Sequence, residues 1–168
     1  MSRILVAYFS AGGVTARIAK DLAKAAGADL YEIRPSVPYS KEDLDWQNPQ
    51  SRSSLEMKDE AYRPPLADHD AEIRSYDTLF LGFPIWWYRA PSIIQTFLES
   101  YDFTDKTIIL FATSGGSGFG GTIRILQKSL PVSTRLREGG ILNKKKSQKE
   151  WKRWLKAILG SEHGSFEA

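Results

Sequence analysis

The chain contains no cysteine, which excludes disulfides, thiolate catalysis and cysteine-based metal sites. Its two histidines, His69 and His163, lie far apart in polar stretches, so no zinc-type cluster is expected. Long apolar runs are missing as well. The run near the N-terminus, Ile4 to Phe9 behind a single arginine, is too short for a signal peptide or a membrane span, and a cytoplasmic protein is the default expectation. Internal repeats and low-complexity segments are absent. The cationic excess is confined to one place. Residues 144 to 156 hold seven lysines and arginines against Glu150, a net +6, so the remainder sums to −3 beneath an overall +3. What is present, 168 residues with 42% apolar and 26% charged, fits one globular domain able to bury a core. That domain is expected over 1–160, with 161–168 as a C-terminal tail.

The chain is organised around Ser10-Ala11-Gly12-Gly13-Val14-Thr15. An apolar strand ends, two glycines turn the backbone, and a helix begins near Val14. Ile18, Ala19, Leu22, Ala23 and Ala26 then recur three or four apart on one face. Free N–H groups and the positive dipole end of such a helix suit an anion such as phosphate. Glycine lets the backbone approach the ligand, and the hydroxyls of Ser10 and Thr15 can add hydrogen bonds. A triphosphate loop would end in Gly-Lys-Ser/Thr. Gly13 is followed by Val14 instead, so a terminal monophosphate is the better guess. An ordinary strand-to-helix turn capped by a hydroxyl explains the loop equally well taken alone.

Further along, strands are expected at 3–9, 29–33, 78–83, 107–113 and 136–142. Helices are expected at about 14–26, 91–101, 121–130 and 147–159, with fraying from Gly160. Residues 36 to 72 are irregular, with prolines at 38, 49, 64 and 65 and short helices near 40–46 and 51–58. Tyr39, Leu44, Trp46, Leu55, Met57 and Tyr62 make this segment too apolar for disorder. A long aromatic insertion in a small domain reads as a functional cover. Alternating strands and helices imply a doubly wound parallel sheet, covered on both faces. In such a sheet the loops after strands one, three and four meet at the carboxyl edge, at a switch point.

The second loop of that trio, Pro84-Ile85-Trp86-Trp87-Tyr88, offers a rigid proline and three consecutive aromatics, which cannot all face one core. The third, residues 114 to 121, has five glycines and two serines, so its N–H groups can approach a flat polar edge. Gly116-x-Gly118-x-x-Gly121 also matches a dinucleotide fingerprint, with Glu138 as a ribose acid. Too little chain follows it for a dinucleotide half, and Gly115 and Gly120 make chance matches common. A flat aromatic ligand with a phosphate tail, the shape of FMN, would use all three loops.

The chain resembles the flavodoxin family through Tyr8-Phe9-Ser10-x-x-Gly13-x-Thr15, Gly82-Phe83-Pro84-Ile85-Trp86-Trp87 and Ala112-Thr113-Ser114-Gly115-Gly116-Ser117-Gly118. The resemblance implies a five-stranded sheet of order 2-1-3-4-5 and non-covalent FMN. Its phosphate would sit on Ser10, Gly12, Gly13, Val14 and Thr15. Its ring would be held by Pro84, Ile85, Trp86, Trp87 and Tyr88, and its polar edge by Ser114, Gly115, Gly116 and Gly118. Val14 replaces the asparagine usual in the family and can offer only its N–H. No metal ligand or catalytic acid or base stands out, and hydride transfer to a flavin needs none.

An electron carrier and an NAD(P)H- or quinone-dependent oxidoreductase both remain open. Residues 83 to 90 hold no glycine, so a turn needing positive φ at Trp87 or Tyr88 would cost about 1 kcal/mol or more. A leaning toward two-electron chemistry follows. The electron partner is expected to be a redox protein or a small-molecule donor or acceptor. Acids at 42, 43, 45, 56, 59 and 60 could steer a protein partner. The basic segment with Trp151 and Trp154 could suggest nucleic acid or membrane binding. A helix with its tryptophans on the sheet and its lysines in water is the preferred reading.

Overall fold

The computed structural model describes residues 3–163. A five-stranded parallel sheet runs in the order β2-β1-β3-β4-β5. The strands are β1 (Ile4–Tyr8), β2 (Asp29–Glu32), β3 (Thr78–Pro84), β4 (Thr107–Thr113) and β5 (Arg135–Ile141). The helices are α1 (Val14–Ala26), α2 (Arg52–Lys58), α3 (Ser92–Glu99), α4 (Thr122–Gln127) and α5 (Gln148–His163). This is the doubly wound flavodoxin-like α/β architecture the sequence led one to expect.

Strand periodicity divides the core. Leu5, Ala7, Leu79, Leu81, Phe83, Ile108, Leu110 and Ala112 face α3 and α4. Their alternates Val6, Tyr8, Phe80, Ile109 and Phe111 face α1 and α5, as a period of two requires. The inner strands β3 and β4 are apolar on both faces because both are covered. Gly82 is fixed by this packing. A Cβ there would lie 2.1 Å from the Phe111 ring, so the aromatic side chain rests directly on the β3 backbone.

Three local expectations fail. Residues 40–46 form turns and no helix. Asp43 accepts from the Ser40 N–H, and the Ser40 hydroxyl accepts from the Asp43 N–H, a reciprocal cap that opens a single turn, closed by the Leu44 N–H on the Ser40 carbonyl at 3.2 Å, which the chain does not propagate. At the other end, α5 continues through Gly160 to His163, past the expected fraying point. Residues 164–168 of the expected tail lie outside the described residues. Helix α4 is shorter than expected and dissolves into turns after Gln127. In α5, Trp151, Leu155 and Leu159 are buried while Lys152, Arg153 and Lys156 are exposed, the amphipathic arrangement preferred above. Among the described residues no helix is long and apolar enough to cross a membrane.

Candidate functional site

The three loops do meet. Val14 at the start of α1, Pro84, Ile85 and Trp86 at the end of β3 and just beyond it, and Thr113, Ser114 and Gly115 likewise at the end of β4 line one cavity of about 440 Å³. It opens at the carboxyl edge between β1 and β3, where the strand order reverses.

Its first wall is the β1–α1 loop. Gly13 adopts φ 93°, a left-handed conformation that glycine alone tolerates without strain. The Ser10 hydroxyl is occupied by the loop itself, accepting from the N–H groups of Gly13 at 3.1 Å and Ala16 at 3.2 Å. The Thr15 hydroxyl is buried against that of Thr113 at 2.8 Å. Both side chains therefore shape the loop and pin it to β4. The N–H groups of Gly12, Val14 and Thr15 find no acceptor among the described residues. An anion would complete them. Val14, Gly12 and Gly13 are exposed, and a Cβ on Gly12 would meet nothing within 4 Å.

The second wall is an aromatic hairpin. Ile85 N–H donates to the Thr113 carbonyl at 2.9 Å, extending the β3–β4 ladder past Pro84. Trp86 and Arg89 then exchange backbone hydrogen bonds at 2.9 and 3.2 Å. The two residues between them, Trp87 at φ 49° and Tyr88 at φ 64°, form a type I′ turn. Its usual residues are Asn-Gly. Bulky aromatics here cost roughly 1–2 kcal/mol each. The positive φ that the absence of glycine makes costly is thus adopted at both positions. Neighbours enforce it. The Tyr88 carbonyl accepts from Gly121 N–H at 3.3 Å, and a Cβ on Gly120 would sit 2.3 Å from that same carbonyl oxygen. Trp86 is held edge-on by Phe9 at 5.7 Å and Tyr39 at 5.6 Å between ring centroids. Trp87 and Tyr88 stay exposed.

The third wall is the β4–α4 loop. The Ser114 hydroxyl accepts from the N–H groups of Gly116 at 3.2 Å and Ser117 at 2.9 Å. Asn143 grips Ser114 at two points, accepting from its N–H at 2.8 Å and donating to its carbonyl at 2.7 Å. Gly115, Gly116 and Gly118 are exposed, with open space where a side chain would be.

Residues 36–72 pack against the hairpin. Tyr39 packs on Trp86, stacks under the Arg52 guanidinium at 3.9 Å, and donates to Glu56. Arg52 binds the same carboxylate at 3.0 Å. Burial first, and the bond to Glu56 second, push the Tyr39 phenol pKa above its ordinary value. Arg89, almost wholly buried, donates to the Met57 carbonyl at 2.8 Å and so ties the hairpin to α2. Desolvation lowers its pKa. Sequence reasoning missed Asn143, Gly120, Tyr39 and Arg89 as parts of the site. Asn143 acts across 29 residues of chain, which no local spacing reveals. Gly120 was in view only as one glycine among five.

A five-stranded doubly wound sheet with a phosphate-compatible helix N-terminus and an aromatic wall at its switch point defines a flavodoxin-like protein. The chain belongs to the flavodoxin family, whose sequence profile matches residues 3–158. Among curated proteins it is similar to a flavodoxin of Haemophilus influenzae, 32% identical over 108 residues, covering 62% of this chain and 45% of that one. It is also similar to an uncharacterised NAD(P)H oxidoreductase of Escherichia coli K12, 29% identical over 72 residues, covering 42% and 32%. The chain thus aligns with less than half the length of these curated relatives. Among solved structures, a flavoprotein candidate from Bacteroides eggerthii is 46% identical with a TM-score of 0.86, covering 95% of this chain and 99% of that one. A Lactobacillus acidophilus flavoprotein solved in complex with FMN shares the fold at 17% identity and a TM-score of 0.66, covering 92% and 99%. Family membership supports FMN as the cofactor, and the walls fit it: unfilled N–H groups for a phosphate, an indole for a ring, and open glycines for a polar edge.

Proposed function

We propose that this protein holds FMN non-covalently in the crevice and passes electrons through it between a donor and an acceptor. The observation that carries the reading is that Val14, Trp86 and Gly115 line one cavity while the N–H groups of Gly12, Val14 and Thr15 await an anion. The phosphate would sit on those three N–H groups, in the field of α1, with Gly13 turning the backbone and Ser10 and Thr15 fixing the loop. Pro84, Ile85 and Trp86 would support the ring, with Trp87 and Tyr88 at its outer margin. Gly115 and Gly118 would offer N–H groups to its polar edge, on a loop shaped by Ser114 and Gly116, whose own N–H groups bond to Asn143 and to the Ser114 hydroxyl. Bound flavin supplies reversible acceptance of electrons. The chain's own residues bind it, orient it and limit its contact with water.

Resemblance to both a flavodoxin and an NAD(P)H oxidoreductase leaves two roles, carrier and enzyme. The first experiment is titration of the purified protein with FMN, read by quenching of flavin fluorescence. Stoichiometric uptake, and a yellow preparation, are expected. Protein that stays colourless and takes up no FMN would refute the proposal. Stopped-flow mixing of the FMN-loaded protein with NADH and NADPH then separates the roles. Rapid bleaching by either nucleotide alone identifies an enzyme, and reduction only through a partner reductase identifies a carrier.

A further inference from the structure

The layer formed by α1 and α5 carries a charge imbalance that the crevice does not use. Both helices pack on the same sheet face, with Ile18, Leu22, Trp151 and Leu155 buried. Their outer sides are basic. Lys144, Lys145, Lys149, Lys152, Arg153 and Lys156 are exposed, and α1 adds exposed Arg17, Lys20 and Lys24 against Asp21. Residues 144–156 carry a net +6 and α1 a net +2, so everything else sums to −5 beneath the overall +3. Among the described residues, none of these nine exposed cations forms an ion pair. The acids of residues 40–60 are more occupied. Arg52 holds Asp43 at 3.6 Å and Glu56 at 3.0 Å. Asp45 and Asp59 accept from backbone N–H groups at 3.1 and 3.0 Å.

The basic layer reaches the crevice. Val14, the first residue of α1, lines it, and Arg17 follows one turn along the helix. Asn143, two residues past β5, lines it too and is followed directly by Lys144 and Lys145. We infer that the α1/α5 face docks an acidic electron-transfer protein, seated at the rim of the crevice. The inference rests on FMN occupying that crevice. Unpaired like charges repel one another, and an opposing acidic surface relieves the repulsion while steering the partner into register. The sign is opposite to that of a partner steered by the acids at 42–60. Two features favour a protein over a nucleic acid or a membrane. Apart from Val14 at the crevice, the large apolar side chains of the layer are turned inward. Trp151, Leu155 and Leu159 are buried, and Trp154 and Ile158 pack against them. The face therefore presents no ring for stacking on bases and no anchor for lipid. The positive charge is also local. The rest of the molecule is net negative, which repels a polyanion or an anionic sheet extending past this face.

The test measures binding of the FMN-loaded protein to two small haem proteins of opposite charge, acidic cytochrome b5 and basic cytochrome c. Titration calorimetry at low ionic strength gives the affinity, and amide shifts in NMR spectra give the face. Saturable binding of cytochrome b5 is expected, and it should weaken as salt is raised to physiological strength. Reversing three exposed charges together, Lys149→Glu, Lys152→Glu and Lys156→Glu, should weaken it roughly tenfold or more, and glutamine at the same positions by less. FMN affinity should be the same in all three proteins, which also shows that the variants fold. The shifted amides should lie in α1, α5 and the segment after Asn143, and spare α2. Wild-type affinity in the glutamate variant, tighter binding of cytochrome c, or shifts confined to α2 and the hairpin would each overturn the inference and leave the FMN reading intact. So would tighter binding to a DNA duplex or to phosphatidylserine vesicles at the same salt, or no binding of cytochrome b5 to the loaded protein. Failure of the wild type to take up FMN would overturn both.

Discussion

The crevice and its cover are built from different materials. The crevice is made of backbone: unfilled N–H groups at α1, a ladder extended by Ile85, and glycines held by the hydroxyls of Ser10 and Ser114, the latter gripped by Asn143. The cover is made of long side chains. Tyr39, Arg52, Glu56 and Arg89 hold it to the hairpin through ring contacts and charge-assisted bonds. Backbone sites are set once the strands pair. Side-chain latches form only after distant elements have arrived, and they can open without unfolding the sheet.

The strongest way to break this division is Gly120→Ala. The new methyl group collides with the Tyr88 carbonyl and also sits at φ 57°, so a loss of about 2 kcal/mol or more is expected in urea unfolding. FMN affinity should fall by roughly tenfold or more, because the hairpin and the glycine loop shift together. Arg89→Met acts on the other side. It leaves the Met57 carbonyl without its donor, at roughly 1–2 kcal/mol. Faster amide exchange in α2 with the β3 and β4 amides unchanged is expected. Exchange that rises equally in both regions would erase the distinction between crevice and cover.

A smaller effect is expected from Asn143→Ala, which frees Ser114 from a partly exposed two-point grip, costing about 1 kcal/mol. FMN binding should weaken while α2 exchange stays as in the wild type. The mildest test uses pH. Because the Tyr39 phenol has a raised pKa in the folded protein, its bond to Glu56 stabilises the cover fully below the ordinary phenol value of 10.0. That contribution fades as pH climbs above it. Exchange in α2, corrected for the intrinsic rate, should accelerate in alkali, and Tyr39→Phe should weaken this dependence, leaving the part that comes from Tyr31, whose phenol is raised by burial and by its bond to Asp68.

Much of this was legible in the chain. The Gly12-Gly13 turn, the apolar β3 and β4, and the glycine run after β4 announced their places because each reflects a local constraint. The identity of the three crevice loops followed from topology. Local signals are incomplete at two places. Residues 40–46 carry helix-compatible side chains, yet the single turn that Ser40 and Asp43 cap is not propagated. The hairpin lacks glycine, yet Trp87 and Tyr88 take positive φ because Gly120 and Gly121, some thirty residues on, hold the Tyr88 carbonyl.

The sequence by itself determined the layered sheet and the loops that edge it, since period-two and period-three-to-four burial patterns and glycine turns are properties of neighbouring residues. Only the tertiary structure decided which polar groups remain free for a ligand and how Arg89 and Asn143 join the site. Those outcomes depend on contacts between segments far apart in the chain, and no local pattern encodes such distances.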